Sequence, residues 1–264
     1  MSPSRPVPLS SALSGFLSDT ALIFGRYARQ TLRSRLQMLF GLLMPLLYLL
    51  FFGPLLTGLR LGPSGTSSWQ SLVPGLLLQL GLFGAAFCGF GILIEKQYGV
   101  VERMRVTPVS RPALLLGRVL RDTAVLVLQS GLLVAAAVAM GLRAPLPGIL
   151  IGFVFVAVLT VALASLSYAL ALKVSTPQEF APVVNAVTLP SMLLSGLLLP
   201  MALGPVWLDA LSHVMPLRYL VDAVRAAFAG DYTAPAMLHG VLAALALAAV
   251  SVVLCGRAFR KTAA

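Results

Sequence analysis

The sequence predicts an all-α integral membrane protein with six transmembrane helices, and three observations lead there. Charge is scarce: 59% of the residues are hydrophobic and 10% are charged, with a mean hydropathy of +0.96, where a soluble domain has about 25% charged residues. A soluble surface that poor in charge would carry large apolar patches. The charges are also spaced, leaving six windows without Asp, Glu, Lys or Arg at 36–59, 61–94, 123–142, 144–172, 180–208 and 232–256. Each is long enough for the roughly 20 helical residues that span the hydrocarbon core, and one charge at mid-membrane costs about 2.5–3.5 kcal/mol on insertion scales. Finally, the windows lack the period-2 alternation of a barrel strand. Helices therefore satisfy the backbone in lipid.

The basic residues assign an orientation. Arg5, Arg26, Arg29, Arg33 and Arg35 precede the first span; Lys96, Arg103, Arg105, Arg111, Arg118 and Arg121 surround the second connection. Lys173, Arg257, Arg260 and Lys261 fall on the same side, and Arg60, Arg143, Arg218 and Arg225 on the other. The positive-inside rule then places both termini in the cytoplasm, with Trp69 and Trp207 in outer connections. The formal net charge of +11 thus reads as topology, not as a nucleic-acid surface. Cys88 and Cys255 are the only cysteines, so neither a disulfide framework nor a zinc site is indicated.

Taken in order, residues 1–9 are Pro/Ser-rich. Residues 10–35 read as an interfacial amphipathic helix, with Leu13, Phe16, Leu17, Phe24, Tyr27 and Ala28 apolar and Arg26, Arg29 and Arg33 on another face. The spans are expected at about 36–58, 72–94, 119–141, 146–172, 180–200 and 235–256. Pro45 and Pro54 interrupt the first. Gly81, Gly84, Ala85 and Gly89 put small residues at helical spacing in the second, which invites close approach of another helix. Ser191, Ser195 and Gly196 put small residues in the fifth span as well. The 203–231 stretch is too polar to span but keeps an apolar rhythm, which fits two short outer or re-entrant helices broken at Pro216.

The longest cytoplasmic insertion, Glu95–Asp122, is the most informative. It predicts a short helix over about 95–108, ended by Thr107-Pro108, and a new helix from Ser110-Arg111-Pro112. A rigid helix placed between two spans can pass force to both. Asp122 has Arg118 one turn before it, so an ion pair between them is expected. Glu95, Gly99, Glu102, Thr107, Pro108, Arg111, Gly117 and Arg118, in that order, resemble the signature of the type-2 permease family of ATP-binding-cassette transporters, with Val100 where the family commonly has Thr. Ser195-Gly196 with Pro200, and Pro216-Leu217-Arg218-Tyr219 with Asp222 and Arg225, resemble further elements of that family. The likeness covers nearly the whole chain and is nearest to the daunorubicin-resistance kind of drug and lipid exporters.

The resemblance implies that 95–108 is a coupling helix seated in a groove of a separate ATPase. Glu95, Gly99, Glu102, Arg103, Arg105, Thr107, Pro108 and Arg111 would form that contact. It also implies a second permease chain, identical or homologous, whose contact the small residues of the second span and Ser191, Ser195 and Gly196 of the fifth could line, together with surrounding lipid and a bacterial plasma membrane. The chain holds no G-x-x-x-x-G-K-[ST] phosphate loop, so ATP and Mg are assigned to the partner and no cofactor or enzymatic activity to this chain. A proton- or sodium-coupled carrier is the first alternative, but it would place ionisable groups near the midplane. A membrane hydrolase using Asp209, Ser212 and His213 is the second, and lacks a nucleophile elbow. Gln79, Gln129, Tyr168 and Asn185 are the candidate substrate-path residues; hydrogen bonding between helices is the competing reading.

Overall fold

The computed structural model describes residues 24–25, 35–56, 68–98, 111–197, 201 and 204–263. The expected interfacial helix over 10–35 lies outside these residues except at its last position and at 24–25. Among the described residues the fold is helical, without strands. The helices are α1 Arg35–Leu56, α2 Ser68–Ala86, α3 Gly89–Gln97, α4 Arg111–Ala139, α5 Leu146–Lys173, α6 Pro177–Leu194, α7 Val206–Ser212, α8 Pro216–Ala229 and α9 Pro235–Ala263. Among the described residues four stretches are long and apolar enough to cross a membrane: Ser68–Glu95, Leu115–Ala139, Leu146–Lys173 and Pro235–Ala258. Leu39–Leu55 is a shorter apolar helix.

Helix α5 is the axle of the bundle, packed against α9, α2, α4, α8 and α3. Lipid supplies no hydrophobic drive between helices, so tight van der Waals contact has to hold them. Small residues make that contact possible. A side chain at Gly148 would strike the backbone of Ala227 in α8; one at Gly240 would strike Ala223 and the Tyr219 carbonyl. Gly53 of α1 receives the ring of Trp69, which is therefore buried at the start of α2 instead of lying in a loop.

The small residues of the second span are likewise used inside the chain. Gly84 faces Leu126 of α4, and Gly89 faces the backbone and hydroxyl of Ser167 in α5. These glycines are thus packed against neighbours within the chain.

That span is also broken. Cys88 N–H reaches back to Ala85 O and Phe90 N–H to Phe87 O, bonds of the tighter i→i+3 kind. The break frees the Gly89 amide and the Ala86 carbonyl. Ser167 takes both: its Oγ accepts from Gly89 N–H at 2.8 Å and donates to Ala86 O at 2.6 Å. A backbone group without a partner is unfavourable in an apolar bundle, and one serine on the neighbouring helix satisfies two.

The remaining connections follow local rules. Thr176 caps α6 by accepting from Glu179 N–H at 3.3 Å, and Glu179 accepts in return from Ser175 N–H. Gly230, at φ +84°, closes α8 in the left-handed conformation that favours glycine. Pro216 starts α8 at a position where its missing N–H is harmless.

Candidate functional site

The polar residues of the bundle gather at two places. The first is its Lys173 end. In α4, Arg118 and Asp122 stand one turn apart, with Arg121 beside them. Arg118 does not pair with Asp122 as its spacing suggests. It donates to Glu95 of α3 at 2.5 Å, with 7% of the Arg118 side chain and 25% of the Glu95 side chain exposed. Asp122, with 4% exposure, instead accepts from Arg121 at 2.5 Å and from the Tyr168 hydroxyl of α5. The reason is the break in the second span. It turns α3 toward α5 and α6, where Phe90 meets Phe180 at 6.3 Å, and so brings Glu95 within reach of Arg118.

The same turn leaves space. Helix α1 packs on α2 and α4, while α3 departs toward α5 and α6. Between α1, α3 and α4 lies a cavity of about 570 Å³. Phe87, Ile94 and Val125 give it apolar walls, and Glu95, Arg118, Arg121, Asp122, Tyr168 and Gln129 give it polar ones.

The second polar cluster is on α7 and α8. Arg218 bonds Asp209 at 2.7 Å, and Asp222 lies 3.7 Å from Arg218 and 3.9 Å from Arg225. Arg225 reaches across to two backbone carbonyls, Ser71 at 3.1 Å and Gly196 at 2.7 Å. Burial lowers the Arg225 guanidinium to about 10, opposed by the Asp222 charge. Burial also raises the Asp222 carboxyl from its ordinary range, opposed by Arg225 and Arg218. Ser212 donates to the Asp209 carbonyl and accepts from Arg218, and His213 Nδ1 sits 2.8 Å from that same carbonyl. The serine is not bonded to the histidine, so the arrangement is an ion-pair network and not a hydrolytic triad.

A third feature is an apolar cleft of about 380 Å³ between α2, α5, α6, α8 and α9. Leu82, Leu163, Val187, Leu217 and Leu247 line it, with Thr188 and Ser191 from α6. Both hydroxyls are spent on α6 carbonyls, Thr188 on Val184 and Ser191 on Val187.

Of the residues assigned to the coupling contact, Glu95 is in the charged cavity. Arg111 begins α4, its side chain outside the described residues, and Gly99, Glu102, Arg103, Arg105, Thr107 and Pro108 lie outside them entirely. Of the substrate-path candidates, Gln129 and Tyr168 meet in the cavity; Gln79 is buried in α2 and Asn185 half-buried on α6, both apart from it. Sequence reasoning missed Arg121, Ser167 and Arg225 as organising residues. Arg121 beside Asp122 is a visible signal, whereas the partners of Ser167 are 78 and 81 residues away and those of Arg225 are 29 and 154.

The profile of the family described as ABC-2 type transporter matches residues 19–229. A protein of Cyanophora paradoxa named as a transport permease, ycf38, is 25% identical over 214 residues, which is 80% of this chain and 74% of that one. DrrC of Mycobacterium tuberculosis, named as a doxorubicin resistance ABC transporter permease, is 22% identical over 230 residues, 85% of this chain and 82% of its own. DrrB1 of Streptomyces coeruleorubidus, named as a daunorubicin resistance ABC transporter permease, is 25% identical over 185 residues, 69% and 65% of the two chains.

Proposed function

With four fifths of its length matched, the chain belongs to the ABC-2 type transporter permease family, and we propose that it is the membrane subunit through which a separate ATPase drives export of a hydrophobic drug or lipid across a bacterial plasma membrane. In this reading ATP and Mg are bound by the ATPase. The six spans are α1, the α2–α3 pair, α4, α5, α6 and α9, with both termini cytoplasmic. Helices α7 and α8 form the outer, partly re-entrant pair. The apolar cleft and the drug-resistance names of two relatives support a hydrophobic cargo. The exposed apolar faces of α1 (Phe40, Met44, Phe51, Leu55) and α6 (Val183, Val187, Leu193) are where lipid and a second permease chain would pack.

One observation carries the mechanical part of the proposal. Glu95 and Arg118 stand on either side of the 99–110 segment, and their ion pair ties α3 to α4 at its base. A charge-assisted bond of this kind is among the stronger ones. Force applied to the segment by an ATPase reaches α3 and α4 together, and through Ser167 it reaches α5. Glu102, Arg103 and Arg105 are the proposed polar contacts with the ATPase.

The test is Glu102→Arg. The variant should insert into membranes as the wild type does but lose co-purification with its partner ATPase and the ATPase stimulation that goes with it. Unchanged binding and transport would overturn the assignment.

A further inference from the structure

We infer that the cavity between α1, α3 and α4 binds the head group of a zwitterionic amphiphile, a molecule with an ammonium and a phosphate on an apolar body. Three features of the cavity point to that chemistry. Its size, about 570 Å³, lies within the roughly 300–1,000 Å³ of small-molecule sites and exceeds what two ion pairs need for themselves. Among the described residues its charge is balanced: two carboxylates, Glu95 and Asp122, against two guanidiniums, Arg118 and Arg121, joined in pairs. A ligand of one sign would leave one of these charges without its partner, which is costly where the group is buried, as Arg118 and Asp122 are. A zwitterion exchanges pairs for pairs. Its phosphate takes guanidinium donors, its ammonium takes the carboxylates, and the count of opposite charges stays even.

The third feature is the entrance. Gly41 of α1 and Gly91 of α3 line the cavity, and both are exposed. A side-chain carbon at Gly91 would meet nothing within 4 Å, so the opening is kept clear by the lack of a side chain and not by a packing demand. Beside it, Ile94 is exposed on the outer surface and Phe87 and Val125 line the interior. The way in therefore passes from an apolar surface to a charged floor, as an amphiphile sliding from a lipid leaflet requires. The site rests on the permease reading only in that this amphiphile is then of the class the transporter carries.

The experiment uses the full chain purified in detergent with equal amounts of phosphatidylethanolamine and phosphatidylglycerol, and native mass spectrometry to count bound lipid. Phosphatidylethanolamine should be retained over phosphatidylglycerol by about tenfold, a difference of about 1.4 kcal/mol. Gly91→Phe, which fills the entrance, should bring the two to parity, with thermal melting as the check that it folds. Val125→Phe, from the α4 wall, should do the same by an independent route. Excess glycerophosphoethanolamine, the head group without its chains, should not displace the lipid; full displacement would overturn the requirement for an apolar body. Equal retention of both lipids by the wild type, or full selectivity in both filled variants, would overturn the site. Loss of the permease reading shows separately: head-group selectivity without ATPase association removes that reading and leaves the site standing. ATPase association without selectivity removes the site alone.

Discussion

The two ends of the bundle are held together by different means. At the end with Leu146 and Pro235, glycines bring backbones into contact, at Gly148 against Ala227 and Gly240 against the Tyr219 carbonyl. Arg225 there bonds two main-chain carbonyls from other segments. At the end with Lys173, side chains bond side chains around open space: Arg118 with Glu95, Arg121 and Tyr168 with Asp122. Main-chain contacts have no alternative arrangement, because carbonyls cannot leave their helices. Ion pairs do, since each partner can rotate to another of opposite sign. The Leu146 end carries ion pairs of its own, Arg218 with Asp209 and Arg225 with Asp222, but adds main-chain contacts to them; the Lys173 end, next to the 99–110 segment, sets its pairs around open space and is the more changeable of the two.

The widest separation between the ends should come from glycine substitution. Gly148→Leu would drive a side chain into the backbone of Ala227 and Phe228. Overpacking costs about 1–3 kcal/mol when side chains can yield, and here the obstacle is main chain, so the expected result is loss of the folded, monodisperse species on size exclusion. Gly91→Leu, in open space at the other end, should melt at or above the wild-type temperature, since a helical glycine costs roughly 0.5–1 kcal/mol relative to alanine. Equal damage from both would remove the contrast.

Next in size is Arg225→Met. It keeps much of the length of the side chain and removes the donors to Ser71 O and Gly196 O. Hydrogen bonds to a charged group contribute about 1.5–3 kcal/mol each, so a loss of about 3 kcal/mol is expected, read as a lower melting temperature in detergent. Because α8 is tied through this residue to the start of α2 and the end of α6, the loss should also raise proteolytic cleavage near Gly196. A variant that melts like the wild type would mean that the small-residue packing alone holds this end.

Much of this division is legible in the residues before any coordinates. The charge-free windows announce long apolar helices because a buried charge in lipid is expensive wherever the chain turns. Pro216 announces the start of α8 because its backbone preference acts locally. The Glu95–Arg118 pair is not legible, and Arg118 with Asp122 is a false lead. Their i, i+4 spacing is favourable on an isolated helix, but Asp122 turns to Tyr168 and Arg121 once α3 arrives beside α4. Nor does the second span announce its break. No proline stands at Phe87–Cys88, and the bend is stabilised by a serine whose position depends on the packing of α5. Residues that act through their own helix can be read from sequence; those that act through a neighbour's backbone need the tertiary structure.

That serine offers the finest test of the changeable end. Ser167→Ala leaves the Gly89 N–H and the Ala86 carbonyl without the hydroxyl that satisfies them. Hydrogen bonds between transmembrane helices average about 0.6 kcal/mol, so two should contribute roughly 1 kcal/mol, a shift of a few degrees in melting. The informative readout is therefore local. Hydrogen exchange at the Gly89 amide should rise in Ser167→Ala, while amides in α8 near Arg225 keep their protection. If the hinge carries force from the 99–110 segment to α5, the variant should still bind its ATPase but couple hydrolysis to transport less well. Faster exchange with intact coupling would make Ser167 only a patch on a broken helix, and the path from the cytoplasmic segment into the bundle would then run through the Glu95–Arg118 pair alone.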